Sequence, residues 1–430
     1  MKKVALHNLG CKVNAYETEA MQELLEKNGY EIVPFKEGAD IFIVNTCTVT
    51  NMADRKSRQM LHRAKKLNPG AIVVAAGCYV QTRRDGEHEN AIDTSIDIII
   101  GNNKKQELIS ILQDYEQSCV RTEWIDINKT NEYERLSLSK TGEHTRAYIK
   151  VQDGCNQFCT YCIIPFARGR VRSRDKDEVV EEVEQLVKNG YKEVVLTGIH
   201  LSSYGVDTGD DLLSLILAVN GVKGLKRIRL GSLEPRIITE EFTRVIAGME
   251  TICPHFHLSL QSGCDTTLKR MNRRYTTAEY QEKCELLRQY FINPAITTDI
   301  IVGFPGETEK EFVCTKALIE EIGFYETHVF KYSKRKGTKA AVMEGQVDEA
   351  VKTARSGILL GLGRAGQAAY EALYLGKNVE VLIEEQVERA GKKLWIGHTK
   401  EYIKVAVESE ESLENKLINM VIENRSQIIH

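Results

Sequence analysis

Short apolar runs alternate with amphipathic stretches from the first residues onward. Residues 4–9, 41–45, 72–76 and 96–100 read as strands. Residues 15–28 and 52–67 carry apolar positions at helical spacing between them. That alternation predicts a doubly wound α/β domain at the N-terminus. A polar stretch at 128–142 reads as a linker. The alternation then restarts, with strands expected at 147–151, 193–197, 227–230, 255–260, 296–302 and 327–332. Helical patterns intervene at 177–188, 240–249, 277–290 and 309–322. Six β/α units without a closing pair predict a partial (β/α)6, TIM-like barrel. Beyond residue 376 the pattern turns to strands alone, at 379–384, 394–398, 402–407 and 417–422. These predict a small β-barrel of oligonucleotide-binding type. The fold class is thus α/β multidomain, with expected boundaries 1–127, 128–142 (linker), 143–370 and 371–430.

Composition narrows the function. The 430 residues carry a net charge of −3 and 42% hydrophobic residues, so no global polycation points to nucleic acid. Residues 1–9 hold too short an apolar stretch for a secretion signal, and no run of about 18 apolar residues occurs. We therefore expect no membrane partner and a cytoplasmic location. In a reducing compartment the eleven cysteines bind metal or react more often than they pair.

Three of them form C-x3-C-x2-C in Gly154-Cys155-Asn156-Gln157-Phe158-Cys159-Thr160-Tyr161-Cys162. A structural zinc site takes four protein ligands. Three thiols on one loop suit a [4Fe–4S] cluster with one iron left open. Cys155 follows the first barrel strand, at the end where such folds place chemistry. Cys11, Cys47 and Cys78 each follow an expected strand, at spacings of 36 and 31 residues. Strand carboxyl ends of an open α/β sheet share one crevice, so these thiols can converge on a second cluster. Gly10 and Gly77 permit close approach of a bulky group. Three unrelated buried cysteines are the alternative, and spacing leaves both open. Cys119, Cys253, Cys264, Cys284 and Cys314 lack metal spacing and read as structural.

Arg168, Arg170, Arg172 and Arg174 alternate, and an extended strand would present them on one face. Phosphate is the anion that suits four guanidinium groups in a row. Further basic sets are Arg55, Lys56, Arg58, Arg63, Lys65 and Lys66, and Lys269, Arg270, Arg273 and Arg274. The last 60 residues, in contrast, hold eight Lys/Arg against eleven Asp/Glu. Trp395, His398 and Tyr402 read either as base-stacking side chains or as aromatic core. Gly361-Leu362-Gly363-Arg364-Ala365-Gly366 matches a dinucleotide fingerprint, but strands without helices follow it, which argues against a Rossmann unit.

The loop triad opening a partial barrel, preceded by a three-cysteine α/β domain and followed by a small β-barrel, resembles the radical S-adenosylmethionine methylthiotransferases over essentially the whole chain. Asn8-Leu9-Gly10-Cys11-Lys12-Val13-Asn14 and Ala167-Arg168-Gly169-Arg170-Val171-Arg172-Ser173-Arg174 resemble the branch that modifies N6-threonylcarbamoyladenosine at position 37 of tRNA, beside the anticodon. The product implied is the 2-methylthio derivative. Sister branches act on isopentenyladenosine tRNA or a ribosomal-protein aspartate. A non-catalytic iron–sulfur RNA-binding protein is the alternative of another class.

The resemblance implies two [4Fe–4S] clusters, one on Cys155, Cys159 and Cys162 and an auxiliary one on Cys11, Cys47 and Cys78. It implies S-adenosylmethionine as cofactor, with Tyr161, Thr197, Gly198, Ser232, Glu234, Ser259 and Gln261 around it. No catalytic side chain is expected beyond the cluster ligands. Residues 303–307 would pack on the adenine or form a plain turn. Implied partners are the modified tRNA, an electron donor protein and a sulfur source, and the C-terminal barrel resembles an RNA-binding TRAM domain. Two departures stand out. Glycines at 361–366 predict a weak or interrupted helix. Lys331 and Lys339 replace expected prolines, which predicts a more mobile loop at 332–338.

Overall fold

The computed structural model describes residues 1–82, 93–118, 122–123, 125–140, 145–389 and 391–430. The first sheet is parallel throughout. Its strands are β1 (Lys3–Asn8), β2 (Glu31–Ile32), β3 (Ile41–Thr46), β4 (Ile72–Gly77), β5 (Ile98–Ile100) and β6 (Thr122–Glu123), in the order β2-β1-β3-β4-β5-β6. Apolar side chains leave both faces. Phe42, Val44 and Val73 meet Leu61 and Ala64 on one side, and Ile41, Ile43 and Val74 meet Met21, Leu25 and Leu112 on the other. Buried runs of Ile, Val and Ala in β3 and β4 follow from helices covering both faces.

The second region holds six parallel strands in chain order. They are β7 (Arg146–Asp153), β9 (Glu193–Gly198) and β10 (Arg227–Leu230), then β11 (His255–His257), β12 (Ala295–Val302) and β13 (Glu326–Lys331). A bridge between Leu233 and Leu258 joins the two halves, and a short β8 (Arg172–Ser173) pairs antiparallel with β7. This is the partial barrel that the periodicity predicts. Two of its helices start on capping boxes, Thr276 with Glu279 and Thr308 with Glu311.

The chain ends in a four-stranded antiparallel sheet, β14 (Asn378–Arg389), β15 (Lys392–Thr399), β16 (Lys404–Glu408) and β17 (Leu417–Val421), ordered β16-β15-β14-β17. It docks on the amino ends of the barrel strands. Arg227 donates to the Glu380 carboxylate and His398 carbonyl, and Arg229 donates to the carbonyls of Thr399 and Lys400.

Three expectations are corrected. The stretch expected as a linker is packed where it is described, through residue 140. Leu136 and Leu138 are buried against Tyr16 and Ala20, and the Tyr16 hydroxyl donates to the Leu136 carbonyl at 2.6 Å. Helix Glu349–Ala372 runs through its glycines without interruption. A Cβ at Gly366 would stand 2.6 Å from the Phe324 carbonyl oxygen, so the missing side chain lets this helix lie close to the barrel. The 332–338 loop is fastened. Arg335 is buried and donates to Thr48 at 2.7 Å and Asp54 at 2.9 Å, beside Cys47.

Candidate active site

The loop triad is shaped by backbone bonds. Cys155 N–H donates to the Gly169 carbonyl at 3.0 Å, Cys162 N–H to Cys159 at 3.0 Å, and Thr160 N–H to Met271 at 3.1 Å. Gly154 has φ +70°, and a Cβ there would fall 1.8 Å from the Arg170 carbonyl oxygen, so only glycine fits. Burial pushes the Cys155 thiol up to about 11 and Cys162 to about 12. Such thiols ionise against a bound cation rather than against water.

A cavity opens over this loop. It is lined by Cys155, Cys159, Tyr161 and Cys162, by Ser232, Glu234, Ser259 and Gln261, and by His200 and Arg273. Five of the seven side chains expected around a cofactor therefore reach it. Thr197 and Gly198 do not. Gly198 makes room for Gln152, whose Oε1 would lie 2.8 Å from an added Cβ. That Gln152 oxygen accepts His200 N–H, while its amide donates to the carbonyls of Asp153 and Gly154. Phe304 in the 303–307 turn is also withdrawn, buried against Met271, Tyr332 and Tyr161.

His200 and Arg273 carried no sign of this role in the sequence. Arg273 stands 114 residues from Cys159, yet donates to its Sγ at 3.3 Å and to the Tyr275 hydroxyl at 3.0 Å. Burial first, then Arg273 and Arg236, lower His200 to about 4, so its imidazole is neutral.

The second triad sits at the carboxyl ends of β1, β3 and β4. Cys11 precedes helix α1 (Lys12–Lys27), and Cys47 and Cys78 are buried. Cys11 feels the charge of Cys78, and Cys47 feels both. Side chains hold the loops together. Asn14 donates to the carbonyls of Leu9 and Thr46 at 2.7 and 3.0 Å, and Asn45 donates to the Asn14 carbonyl at 3.0 Å. Gly10 has φ +107°, and a Cβ there would stand 2.9 Å from Cys47 Sγ.

Among the described residues, no three cysteine sulfurs lie within 4.8 Å of one another, the spacing that one shared ion demands. The set that does meet that spacing is His257, Asp299 and His328, on β11, β12 and β13.

The arginine run departs from its expected role. Arg168 and Arg172 have no exposed surface, and Arg174 is 5% exposed. Arg168 donates to Cys78 Sγ at 3.2 Å, Asn14 at 2.6 Å, Glu17 at 2.7 Å and Asp153 at 3.1 Å. Arg172 donates to the carbonyls of Arg168 and Arg170, and Arg174 pairs with Glu182. Buried carboxylates and backbone carbonyls, not phosphate, satisfy these three. Arg170 alone of the run is exposed, its guanidinium 4.5 Å from the Phe158 ring centre. On the second basic helix (Asn51–Leu67), Arg55, Lys56, Arg63 and Lys66 face solvent, while Lys65 pairs with Asp97. In the third set Arg270 pairs with Glu311.

Trp395 is buried, and His398 Nδ1 is hydrogen-bonded to Glu384 Oε1 at 2.7 Å. The Tyr402 ring lies between Arg146 and Arg229, at 4.9 and 4.7 Å, and stacks on His255. These aromatics face the barrel and not an outer RNA surface. Cys253 and Cys284 are buried, Cys264 half-buried and Cys314 exposed, while Cys119 lies outside the described residues.

Residues 149–319 match the radical SAM superfamily, and residues 3–101 match the uncharacterized protein family UPF0004. The chain is 42% identical to the threonylcarbamoyladenosine tRNA methylthiotransferase MtaB of Bacillus subtilis (strain 168), over 98% of this chain and 94% of that protein. It belongs to the radical S-adenosylmethionine methylthiotransferases. Other members include MtaB of Aquifex aeolicus at 39% identity, over 89% of this chain and 93% of the relative. The tRNA-2-methylthio-N(6)-dimethylallyladenosine synthase of Thermoanaerobacter pseudethanolicus is 37% identical, over 97% and 89%. In fold, this methylthiotransferase resembles the radical S-adenosylmethionine methyltransferase TsrM of Kitasatospora setae, with a TM-score of 0.58 at 16% identity, over 80% of this chain and 77% of that one. Among the described residues no helix is long and apolar enough to cross a membrane.

Proposed function

We propose that the protein is a tRNA methylthiotransferase that converts N6-threonylcarbamoyladenosine to its 2-methylthio derivative. Cys155, Cys159 and Cys162 hold one [4Fe–4S] cluster, and Cys11, Cys47 and Cys78 hold the auxiliary one. Bound S-adenosylmethionine and the two clusters supply the radical, methyl and sulfur chemistry that no side-chain acid or base can perform on an aromatic C–H bond. Tyr161, Ser232, Glu234, Ser259 and Gln261 line the cofactor cavity, and neutral His200 closes one wall of it. An electron donor protein and a sulfur source complete the reaction. The TRAM-like terminal sheet closes the far end of the barrel. Exposed Arg170 and Arg55, Lys56, Arg63 and Lys66 on helix Asn51–Leu67 meet the RNA backbone, because among the described residues no carboxylate pairs with them.

The observation that carries this reading is the buried link between the triads. Arg168 touches Cys78 on one side and Asp153, two residues before Cys155, on the other. Asn102 repeats the link, donating to Cys78 Sγ at 3.5 Å and to the Ala167 carbonyl at 2.8 Å. Two thiol triads held by one ion network suit chemistry that needs both clusters on one substrate. The threonylcarbamoyl substrate follows from the MtaB relatives at 42% and 39% identity.

The test is anaerobic reconstitution with iron and sulfide, then incubation with reductant, S-adenosylmethionine and tRNA bearing threonylcarbamoyladenosine. Nucleoside mass spectrometry is expected to find the methylthio product, and to lose it in Cys159→Ala and Cys47→Ala. Formation of 5′-deoxyadenosine without that product, and conversion of isopentenyladenosine tRNA instead, would overturn the substrate.

A further inference from the structure

Strands β11, β12 and β13 bring three metal-binding side chains onto one face. The parallel ladder pairs His257 with Thr297 and Asp299 with His328. Residues 297 and 299 lie two apart, so all four side chains leave the sheet on the same side. Ile296, Ile300 and Val302 leave on the other and join the helix-covered core. His257 Nε2 stands 3.3 Å from Asp299 Oδ2, and the rings of His257 and His328 are tilted by only 27°, with centres 5.7 Å apart. One nitrogen of each ring and one Asp299 oxygen all fall within 4.8 Å of one another. Among the described residues no other set of three histidines, cysteines or carboxylates does so.

The contacts of His257 suit an ion better than a hydrogen bond. Its Nδ1 lies 3.0 Å from Thr297 Oγ1, while its Nε2 is buried and, among the described residues, makes no hydrogen bond even to Asp299. A bond from Nδ1–H to the Thr297 hydroxyl fixes the ring and leaves the Nε2 lone pair free for a metal. Donor atoms ~2.1 Å from a tetrahedral ion lie about 3.4 Å apart. The 3.3 Å between Nε2 and Oδ2 matches that separation. His328 Nε2 is 3.8 Å from Glu326 Oε2, too far for a hydrogen bond.

The place also has an entrance. Side-chain exposure rises along the row, from 13% at His257 to 28% at Asp299 and 42% at His328. β13 is an edge strand, and His328 lines a cavity of about 400 Å³ between it and helix Glu349–Ala372, with Phe330, Leu360, Gly363 and Gln367. We propose that His257, Asp299 and His328 bind one divalent transition-metal ion of the Zn²⁺ class, with its fourth position open to this cleft. Two imidazoles and one carboxylate leave such an ion a net positive charge, so the open position takes water or an anionic group. His257 lies two residues before Ser259 of the cofactor cavity, which puts the ion in the same barrel, nearer the amino ends of its strands. The site uses no thiol and stands apart from both cysteine triads.

The experiment uses the anaerobically reconstituted holoenzyme, whose cluster thiols already hold iron. It is equilibrated with Zn²⁺ and gel-filtered, and zinc and iron are counted by plasma mass spectrometry. About one Zn²⁺ per chain is expected on top of an unchanged iron content. Zinc-edge X-ray absorption is expected to show nitrogen and oxygen at ~2.0–2.2 Å and no sulfur at ~2.3 Å. Asp299→Asn and His328→Ala are expected to weaken Zn²⁺ binding on the order of 100-fold while keeping the parent's iron, and Thr297→Val roughly 10-fold by freeing the His257 ring. The partly exposed His328 can be truncated without opening the core, so His328→Ala tests the site even where Asp299→Asn misfolds. Absence of retained zinc would overturn the proposal, as would zinc bound to sulfur or equal retention by the parent and His328→Ala.

Discussion

The two thiol triads are built in opposite ways. Cys155, Cys159 and Cys162 share one loop, closed by its own backbone and by Met271 and Gly169. Cys11, Cys47 and Cys78 come from three strand ends, and amides of Asn14, Asn45 and Asn102 tie them together with Arg168. The first site takes all three ligands from one loop, which Met271 and Arg273 brace from outside. The second exists only when distant side chains arrive, so it is the one that long-range substitutions reach.

The largest effects separate the triads by chemistry. Cys159→Ala and Cys47→Ala are each expected to abolish methylthiolation and to halve the bound iron, by iron assay. Only Cys159→Ala is expected to abolish cleavage of S-adenosylmethionine, read as 5′-deoxyadenosine. Loss of that cleavage in Cys47→Ala as well would mean that the triads do not act separately.

Arg168→Met comes next. It leaves Glu17 and Asp153 buried beside Lys105 and Lys150 without their guanidinium. Breaking a buried pair costs about 3–5 kcal/mol, measurable by urea unfolding. Iron loss confined to the auxiliary triad would show that Arg168 serves that site, and loss of all iron that it braces both.

Two glycines sharpen the contrast further. Gly154→Ala collides with backbone and is expected to cost more than about 3 kcal/mol. Gly10→Ala at φ +107° meets the Cβ and Sγ of Cys47 at 2.9 Å rather than a carbonyl at 1.8 Å, so a smaller cost of about 2 kcal/mol is expected, with displacement of one ligand. Equal costs would remove the distinction between a rigid loop and an adjustable one.

The smallest effect is pH dependence at the loop-triad cavity. His200 is held at about 4, below its ordinary 6.5. A depressed pKa contributes stability that is complete above pH 6.5 and is lost as pH falls toward about 4. We expect about 1 kcal/mol to be lost between pH 6.5 and about 5.5, absent in His200→Phe, by denaturation at several pH values.

The strands and helices were legible because apolar period is a local property. The loop triad was legible for the same reason, since its three ligands lie within eight residues. The other triad could be suspected from glycine–cysteine and threonine–cysteine pairs after strands, but the thiols' approach depends on the order β1-β3-β4 in the sheet. The arginines were misread because alternation says which residues share a face and not what that face meets. Glu17 lies 151 residues from Arg168.

The sequence by itself determined the order of β/α units, the loop that carries Cys155, Cys159 and Cys162, and the family. Tertiary structure alone decided that the polar stretch before the barrel would be packed and that three arginines would turn inward. Backbone periodicity is set by neighbours a few residues away, whereas the fate of a charge is set by whichever opposite charge the finished fold brings to it.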